Sequence, residues 1–519
     1  MKKTFCIAGP VRVEDHYCLP NRLNALELHQ LINEKKYFIL HAPRQTGKTT
    51  AILDFVRQLN SEGKFRALYV NVEPAQAARS DIERGLRTIM TSFKKSIGNE
   101  FGETSGDYAL AERYEAVALP SGGLLEDFLT LWVKLSAKPT VLFVDEIDSL
   151  VGDTLISVLR QLRSGYAARP ESFPQTICLV GLRDVRDYRI WSPEQGSFVL
   201  GGSAFNIKAE SLKLADFSRE EVAALYQQHT KATGQIFTPE AIEYAFYLTQ
   251  GQPWLVNALA YQACFRDVTD RTQPITKEIV ERSKETLILR RDTHIDVLAD
   301  RLKEPRVRSI LDQLIWGSDK LVEFPPDDVQ YVLDLGILAR RDKRLVIANP
   351  IYQEVFPRVL SAPSEETIYE RTAAYVEKNG VLNVPKLLEA FTQFYRENSA
   401  IWLEKFDYKE SGPHLLLMAF LQRIINGGGS IHREYALGRK RVDLLIRWGK
   451  QRIVIELKIQ RNPKTITEGL VQTAEYMDTS HATEGHLVVF DRSPEKTWDE
   501  KIFTRQERVQ GKTITTWGM

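Results

Sequence analysis

Two stretches of this chain carry side chains whose types and spacing can do chemistry. The first is Ala42-Pro43-Arg44-Gln45-Thr46-Gly47-Lys48-Thr49, a polar loop between the apolar run Tyr37 to His41 and the helical stretch Thr49 to Asn60. A loop placed between strand and helix aims successive backbone N–H groups, and the positive end of the new helix, at one point in space, which is a cradle for phosphate oxygens. Arg44, Gln45, Thr46, Gly47 and Thr50 form its backbone and rim, Lys48 reaches the terminal phosphate oxygens, and the Thr49 hydroxyl can ligate Mg²⁺. Ala42 stands where such a loop usually has glycine, and its single methyl group is expected to be tolerated. The run Val141-Leu142-Phe143-Val144-Asp145-Glu146 is the matching acidic strand, with Asp145 placed to hold Mg²⁺ through water and Glu146 to orient an attacking water.

The second stretch, Arg441 to Lys458, spells a hairpin. A two-residue turn at Gly449-Lys450 sets Trp448 opposite Gln451, and counting outward puts Asp443 opposite Glu456 and Arg441 opposite Lys458. Val442, Leu444, Ile446, Ile453, Ile455 and Leu457 make the other face wholly apolar, hence core. Two carboxylates and a lysine on one face suit a hard cation, Mg²⁺ or Mn²⁺, that activates water against a phosphodiester, with Lys458 positioning the nucleophile or offsetting developing charge. The competing reading is a solvated sheet face laced with ion pairs of little energetic worth.

These residues need elements to position them. Between Lys36 and Ser211 the apolar runs YFILH, ALYVNV, TVLFVD and TICLVG alternate with helical stretches, the pattern of an α/β domain with a parallel sheet covered by helices. Helical periodicity takes over from about Phe217, as a lid beside the loop. Residues 300 to 358 spell two helices and a short hairpin, a winged helix, whose Arg340, Arg341, Lys343 and Arg344 suit either DNA phosphates or a solvated turn. The expected divisions are a core over 1–215, a lid over 216–299, a winged helix over 300–358, a helical connector over 359–409 and a C-terminal α/β domain over 410–519.

A chain of 519 residues with 43% apolar residues can bury several such cores. The net charge of +1 hides an asymmetry, since residues 405 to 519 hold 19 Lys and Arg against 14 Asp and Glu, a basic balance that suits an anionic polymer. The cysteines Cys6, Cys18, Cys178 and Cys264 are scattered, which implies a reducing compartment. The apolar stretch after Lys2 and Lys3 is too short for a signal peptide, and no segment approaches the roughly 18 apolar residues that span a bilayer. A cytoplasmic protein without a membrane partner is expected.

On the loop and the acidic strand, residues 1 to 358 resemble the AAA-like P-loop ATPases of the STAND and archaeal type. The resemblance implies ATP with Mg²⁺. It matches Arg183 to an arginine that senses the terminal phosphate, and Gly251-Gln252-Pro253-Trp254 to a G-x-P motif whose Pro253 packs near adenine, which His16-Tyr17-Cys18-Leu19-Pro20 also approaches. A helix breaker and an ordinary surface arginine are the plain alternatives. Arg160, Arg163, Arg186 and Arg189 all fit an arginine acting in trans, so self-association stays open.

The order of elements over residues 405 to 495 resembles the PD-(D/E)XK nuclease core. Gln472 and Tyr476, four apart on one helix face, match the Gln-x-x-x-Tyr element of its RecB-type branch, and Glu410, with Glu434 as competitor, matches a further acid. Together the resemblances imply an ATP-controlled nuclease acting on nucleic acid, DNA before RNA, in the manner of phage and mobile-element defence. The rival is a nucleotide-dependent DNA-binding regulator with an inactive nuclease-like domain. A motor would need a ring and a pore element that the sequence does not display.

Overall fold

The computed structural model describes residues 3–519 apart from 21, 24, 117–120, 185–188, 193–196, 291–297, 299, 303, 317–323, 343, 357–374, 406–416, 419, 422–428, 438–439, 461, 463, 492 and 494. The chain folds as two compact units. One comprises Met1–His294 and Phe324–Asn349, the other Ile295–Glu323 and Pro350–Met519.

In the first unit the four apolar runs are β1 (Tyr37–His41), β2 (Arg66–Asn71), β3 (Thr140–Asp145) and β4 (Thr176–Gly181). After a hairpin of β5 (Arg189–Ser192) and β6 (Ser197–Leu200), β7 (Lys208–Lys213) completes a five-stranded sheet in the order β2-β3-β4-β1-β7, parallel throughout. Alternate residues divide between two cores. Phe38, Leu40, Val141, Phe143 and Val180 pack on Ile52, Phe55 and Leu59 of the helix Lys48–Glu62. Tyr37, Ile39, Val70, Leu142 and Leu179 pack on Leu86, Phe93, Phe128 and Trp132 from the opposite side. Helices on both faces are why these strands read as unbroken apolar runs. The edge strand β7, KAESLK, is half exposed and carries no such signal.

The helices that follow are closed by ordinary caps. Ser218 and Glu221 form a capping box before Arg219–Thr233, while Thr238 and Gln252 cap Pro239–Thr249 and Pro253–Gln262, each with proline at the first position. The N-terminal segment is strapped to this region. The Gln228 side chain accepts from Cys18 N and donates to Cys18 O, Tyr17 bonds His229, and Trp254 Nε1 donates to Ile7 O. The helix Pro326–Asp334 and the hairpin of β8 (Leu338–Arg341) and β9 (Arg344–Ile347) also belong to this unit. The helix Pro305–Trp316, expected to share a winged helix with them, belongs to the other. Arg340, Arg341 and Arg344 are exposed, and Lys343 lies outside the described residues.

The second unit holds a mixed sheet of β10 (Gly429–Leu437), β11 (Lys440–Trp448), β12 (Gln451–Ile459), β13 (Glu484–Phe490), β14 (Phe503–Val509) and β15 (Lys512–Gly518), in the order β10-β11-β12-β13-β15-β14. Leu444, Ile446, Ile453, Ile455 and Leu457 face the helix Val384–Lys405, whose Leu387, Leu388, Phe391 and Tyr395 share their core. Part of the stretch read as a connector is thus a layer of this unit. Across the sheet, Leu445 and Val454 are buried under Leu470, Ala474 and Met477 of the helix Lys464–Ser480. The face expected to be polar is therefore covered, with Asp443, Glu456 and Lys458 on one side of the Leu445–Val454 pair and Arg447 and Arg452 on the other. Among the described residues no helix is long and apolar enough to cross a membrane.

Gly251 joins two of the helices with φ of +79°, and a Cβ there would fall 1.9 Å from Phe217 O. Gly251→Ala is expected to cost about 2 kcal/mol or more of stability, read as a lowered midpoint in denaturant at unchanged slope.

Candidate functional sites

At the carboxyl end of β1, Ala42 N donates to Gly181 O of β4 and the chain turns into the loop. Its left-handed residues are Gln45, with φ of 60°, and Gly47, with φ of 84°. Ala42 takes no positive φ, so the substitution that sequence singled out meets no strain. Lys48 is 7% exposed and folds back into the loop, donating to Ala42 O at 2.8 Å and Pro43 O at 2.9 Å. Burial holds its ammonium below the ordinary lysine range, against the opposing pull of Glu146 and Asp145. Thr46 Oγ1 donates to Pro43 O, and Thr50 Oγ1 accepts from Val11 N, which ties the N-terminal segment to the loop helix. Arg44 and Gln45 are exposed on the rim.

Thr49 Oγ1 donates to Asp145 Oδ2 at 2.8 Å across the sheet's end, so the two groups expected to share a cation are neighbours. A hydroxyl and a carboxylate are oxygen donors, the set that Mg²⁺ prefers. Asp145 is 0% exposed, and its other oxygen accepts from Glu146 N. Glu146 turns out of the strand with φ of 59° and is pushed up to about 7, first by burial and then by Asp148 and Asp145.

Arg183 pairs with Asp334 Oδ2 at 2.9 Å and lies 5.2 Å over the Tyr331 ring, so the helix Pro326–Asp334 engages it. Pro253 is buried at the first turn of its helix. Arg160 and Arg163 are exposed, Arg186 lies outside the described residues, and the side chain of Arg189 does too.

Two residues that sequence reasoning missed hold the cluster in place. Arg22 donates to Thr46 O at 2.5 Å and Ala215 O at 2.6 Å and lies over the Phe217 ring. Tyr69 donates to Asp145 Oδ2 at 2.8 Å. Nothing in the local sequence marks either side chain, so only the folded arrangement reveals them.

In the second unit the hairpin register is the expected one from Trp448↔Gln451 to Leu444↔Ile455, with Gly449 at φ of 55° in the turn. Beyond that pair the Leu457 N–H donates to the Asp443 carboxylate at 2.8 Å, which brings this side chain against β12 next to Glu456. Glu456 is 2% exposed. Its Oε1 accepts from Lys458 Nζ at 2.9 Å, while Oε2 is buried with no hydrogen-bond partner. Burial, then the Asp443 charge, push its carboxyl up to about 8 against the pull of Lys458. This is no solvated ion-pair face.

The helix Lys464–Ser480 approaches so closely that a Cβ on Gly469 would meet Leu487 at 2.7 Å and the Lys458 stem at 3.4 Å. Gln472, one turn on, carries a buried Oε1 that also lacks a partner, and Tyr476 is buried one turn further. An orphaned buried acceptor costs about 1–3 kcal/mol. Asp443 and Glu456 with such an oxygen fit a divalent cation, although among the described residues no three acidic, imidazole or thiol side chains gather as a ligand set. Glu410 lies outside the described residues, as does the side chain of Glu434.

Residues 386–493 match the family described as "Domain of unknown function (DUF8371)". The chain is similar to the Walker-type ATPase PABY2304 of Pyrococcus abyssi, at 17% identity over 68% of this chain and 99% of that one, with a TM-score of 0.46. It is also similar to the RuvB Holliday junction branch migration motor of Thermotoga maritima, at 16% identity over 64% and 91%, with a TM-score of 0.33. Cdc6p from Pyrobaculum aerophilum matches at 12% identity over 67% and 95%, with a TM-score of 0.35. No curated protein matches the chain.

A carboxyl that folding raises to about 8 favours the native state below the ordinary glutamate range, and that contribution is lost as pH rises through 8. A cation at Glu456 must displace the proton, so apparent Mn²⁺ affinity should rise about tenfold per pH unit up to about 8 and then level off. Thermal shifts with Mn²⁺ from pH 6 to 9, compared with Glu456→Gln, check this. An equal shift in the variant removes Glu456 from the site.

Proposed function

We propose that this protein binds ATP with Mg²⁺ at the loop of the first unit and uses the bound nucleotide to control a metal-dependent nuclease site in the second. The nucleotide half of the reading is supported by Lys48, Thr49 and Asp145 converging at the ends of β1 and β3, on either side of β4. Lys48 would leave its two carbonyl partners for phosphate oxygens. Glu146, raised to about 7, would accept a proton from the attacking water near neutral pH.

One observation carries the nuclease half, namely the buried Glu456 with an unsatisfied oxygen beside Asp443 and Lys458. A stabilising surface network would leave neither an orphaned acceptor nor a carboxyl so hard to ionise. A bound cation supplies Lewis-acid stabilisation of a phosphodiester and a more acidic water. Around it Asp443 and Glu456 would be ligands, Lys458 would stabilise developing charge, and Gln472 would orient a neighbouring group. The basic balance of residues 405–519 favours a polyanionic substrate. Arg183 would read the terminal phosphate, and its partner helix Pro326–Asp334 would pass that state along the chain.

Purified protein is expected to cut DNA with Mg²⁺ or Mn²⁺. Asp443→Ala and Lys458→Ala should each lower cutting by about a hundredfold or more and leave nucleotide binding unchanged. Cutting that persists in both variants rejects the site.

Lys48→Ala should abolish nucleotide binding and with it the dependence of cutting on ATP. A variant that binds ATP normally, or cuts under the same ATP control, rejects the switch.

A further inference from the structure

Asp145 ends β3 with no exposed surface, and what orients it is specific. Its Oδ1 accepts from Glu146 N at 2.9 Å. Its Oδ2 accepts twice, from Thr49 Oγ1 and from Tyr69 Oη, each at 2.8 Å. The register explains why the second donor is Tyr69. Asn71 is the direct neighbour of Asp145, but its side-chain oxygen accepts from Glu73 N at 2.7 Å in the turn that leaves β2. Tyr69 pairs with Phe143, one step back on the face that carries Asp145, and a phenol is long enough to reach forward to the diagonal neighbour.

We propose that Tyr69 is a positioning residue for the divalent cation that accompanies the nucleotide, holding Asp145 Oδ2 where that oxygen and Thr49 Oγ1 meet the metal and its bound water. This rests on the nucleotide reading of the loop. The ring of Tyr69 packs beside the core cluster of Phe143 and Phe55, a task phenylalanine would perform equally well, so the hydroxyl needs another reason to be there. Its bond supplies one. With Oδ1 tied to the backbone and Oδ2 tied to two hydroxyls, the carboxylate cannot turn about its own axis. Because Thr49 gives its proton to Asp145, its lone pairs are left for the cation. Burial and the Asp145 charge hold the phenol well above its ordinary range, so it stays a donor throughout.

The test is Tyr69→Phe, which keeps the ring and removes only the donor. Binding of a fluorescent ATP analogue is followed in EDTA and then along a Mg²⁺ titration. In EDTA the variant should match wild type, and its Mg²⁺ half-saturation should rise roughly 10- to 100-fold, the range for outer partners of metal ligands. Superimposable Mg²⁺ titrations overturn the proposal. So does an equal loss of binding with and without Mg²⁺, which would mark a merely structural role. If wild type itself fails to bind the analogue, the nucleotide reading falls first, and the wild-type arm alone makes that failure plain.

Discussion

The two large sheets of this protein are covered on both faces, and that burial dictates what a charged group within them requires. A charged side chain within such a strand lies in a dry, close-packed layer, so it needs hydrogen-bond donors, a proton or a cation. Asp145 ends β3, whereas Glu456 lies within β12 opposite Leu487, and both are almost wholly removed from water. They are treated differently. Asp145 collects three donors, from Thr49, Tyr69 and the backbone of Glu146. Glu456 has one donor on one oxygen and none on the other, and is left favouring its protonated form. The first has both oxygens engaged, while the second keeps one oxygen open to a proton or a cation.

Burial also decided what was legible in the sequence. β1 to β4 stand out as apolar runs because both faces of each strand meet helices, and the phosphate loop follows β1 at fixed spacing. The hairpin register was readable because a glycine with positive φ marks its turn and the side-chain period is two. β7, β14 and β15 were not. β7 has only half-exposed and exposed residues, in no regular alternation, and the β14–β15 pair, rich in Arg and Thr, has no core-facing run on its outer strand.

Two expectations failed for the same reason. Alternation within a hairpin shows which residues share a face and says nothing about what lies above it. The face holding Asp443 and Glu456 looked polar, yet Leu445 and Val454 on it are roofed by the helix Lys464–Ser480. The charge and aromatics before residue 409 suggested a connector, yet Leu387, Phe391 and Tyr395 of that stretch complete a core. Arg22 and Tyr69 were invisible because nothing local distinguishes them. Their meaning comes from a carbonyl and a carboxylate that reach them only after folding.

The division of the chain has a consequence for the order in which it can be made. Residues 295–323 belong to the second unit and 324–349 to the first, so the polypeptide passes between the units three times. During synthesis the nucleotide-loop unit cannot be finished until residue 349 has emerged, while the helix Pro305–Trp316 appears well before the sheet of its own unit exists. Neither unit is a continuous piece of gene. A single cut in the chain cannot separate them intact.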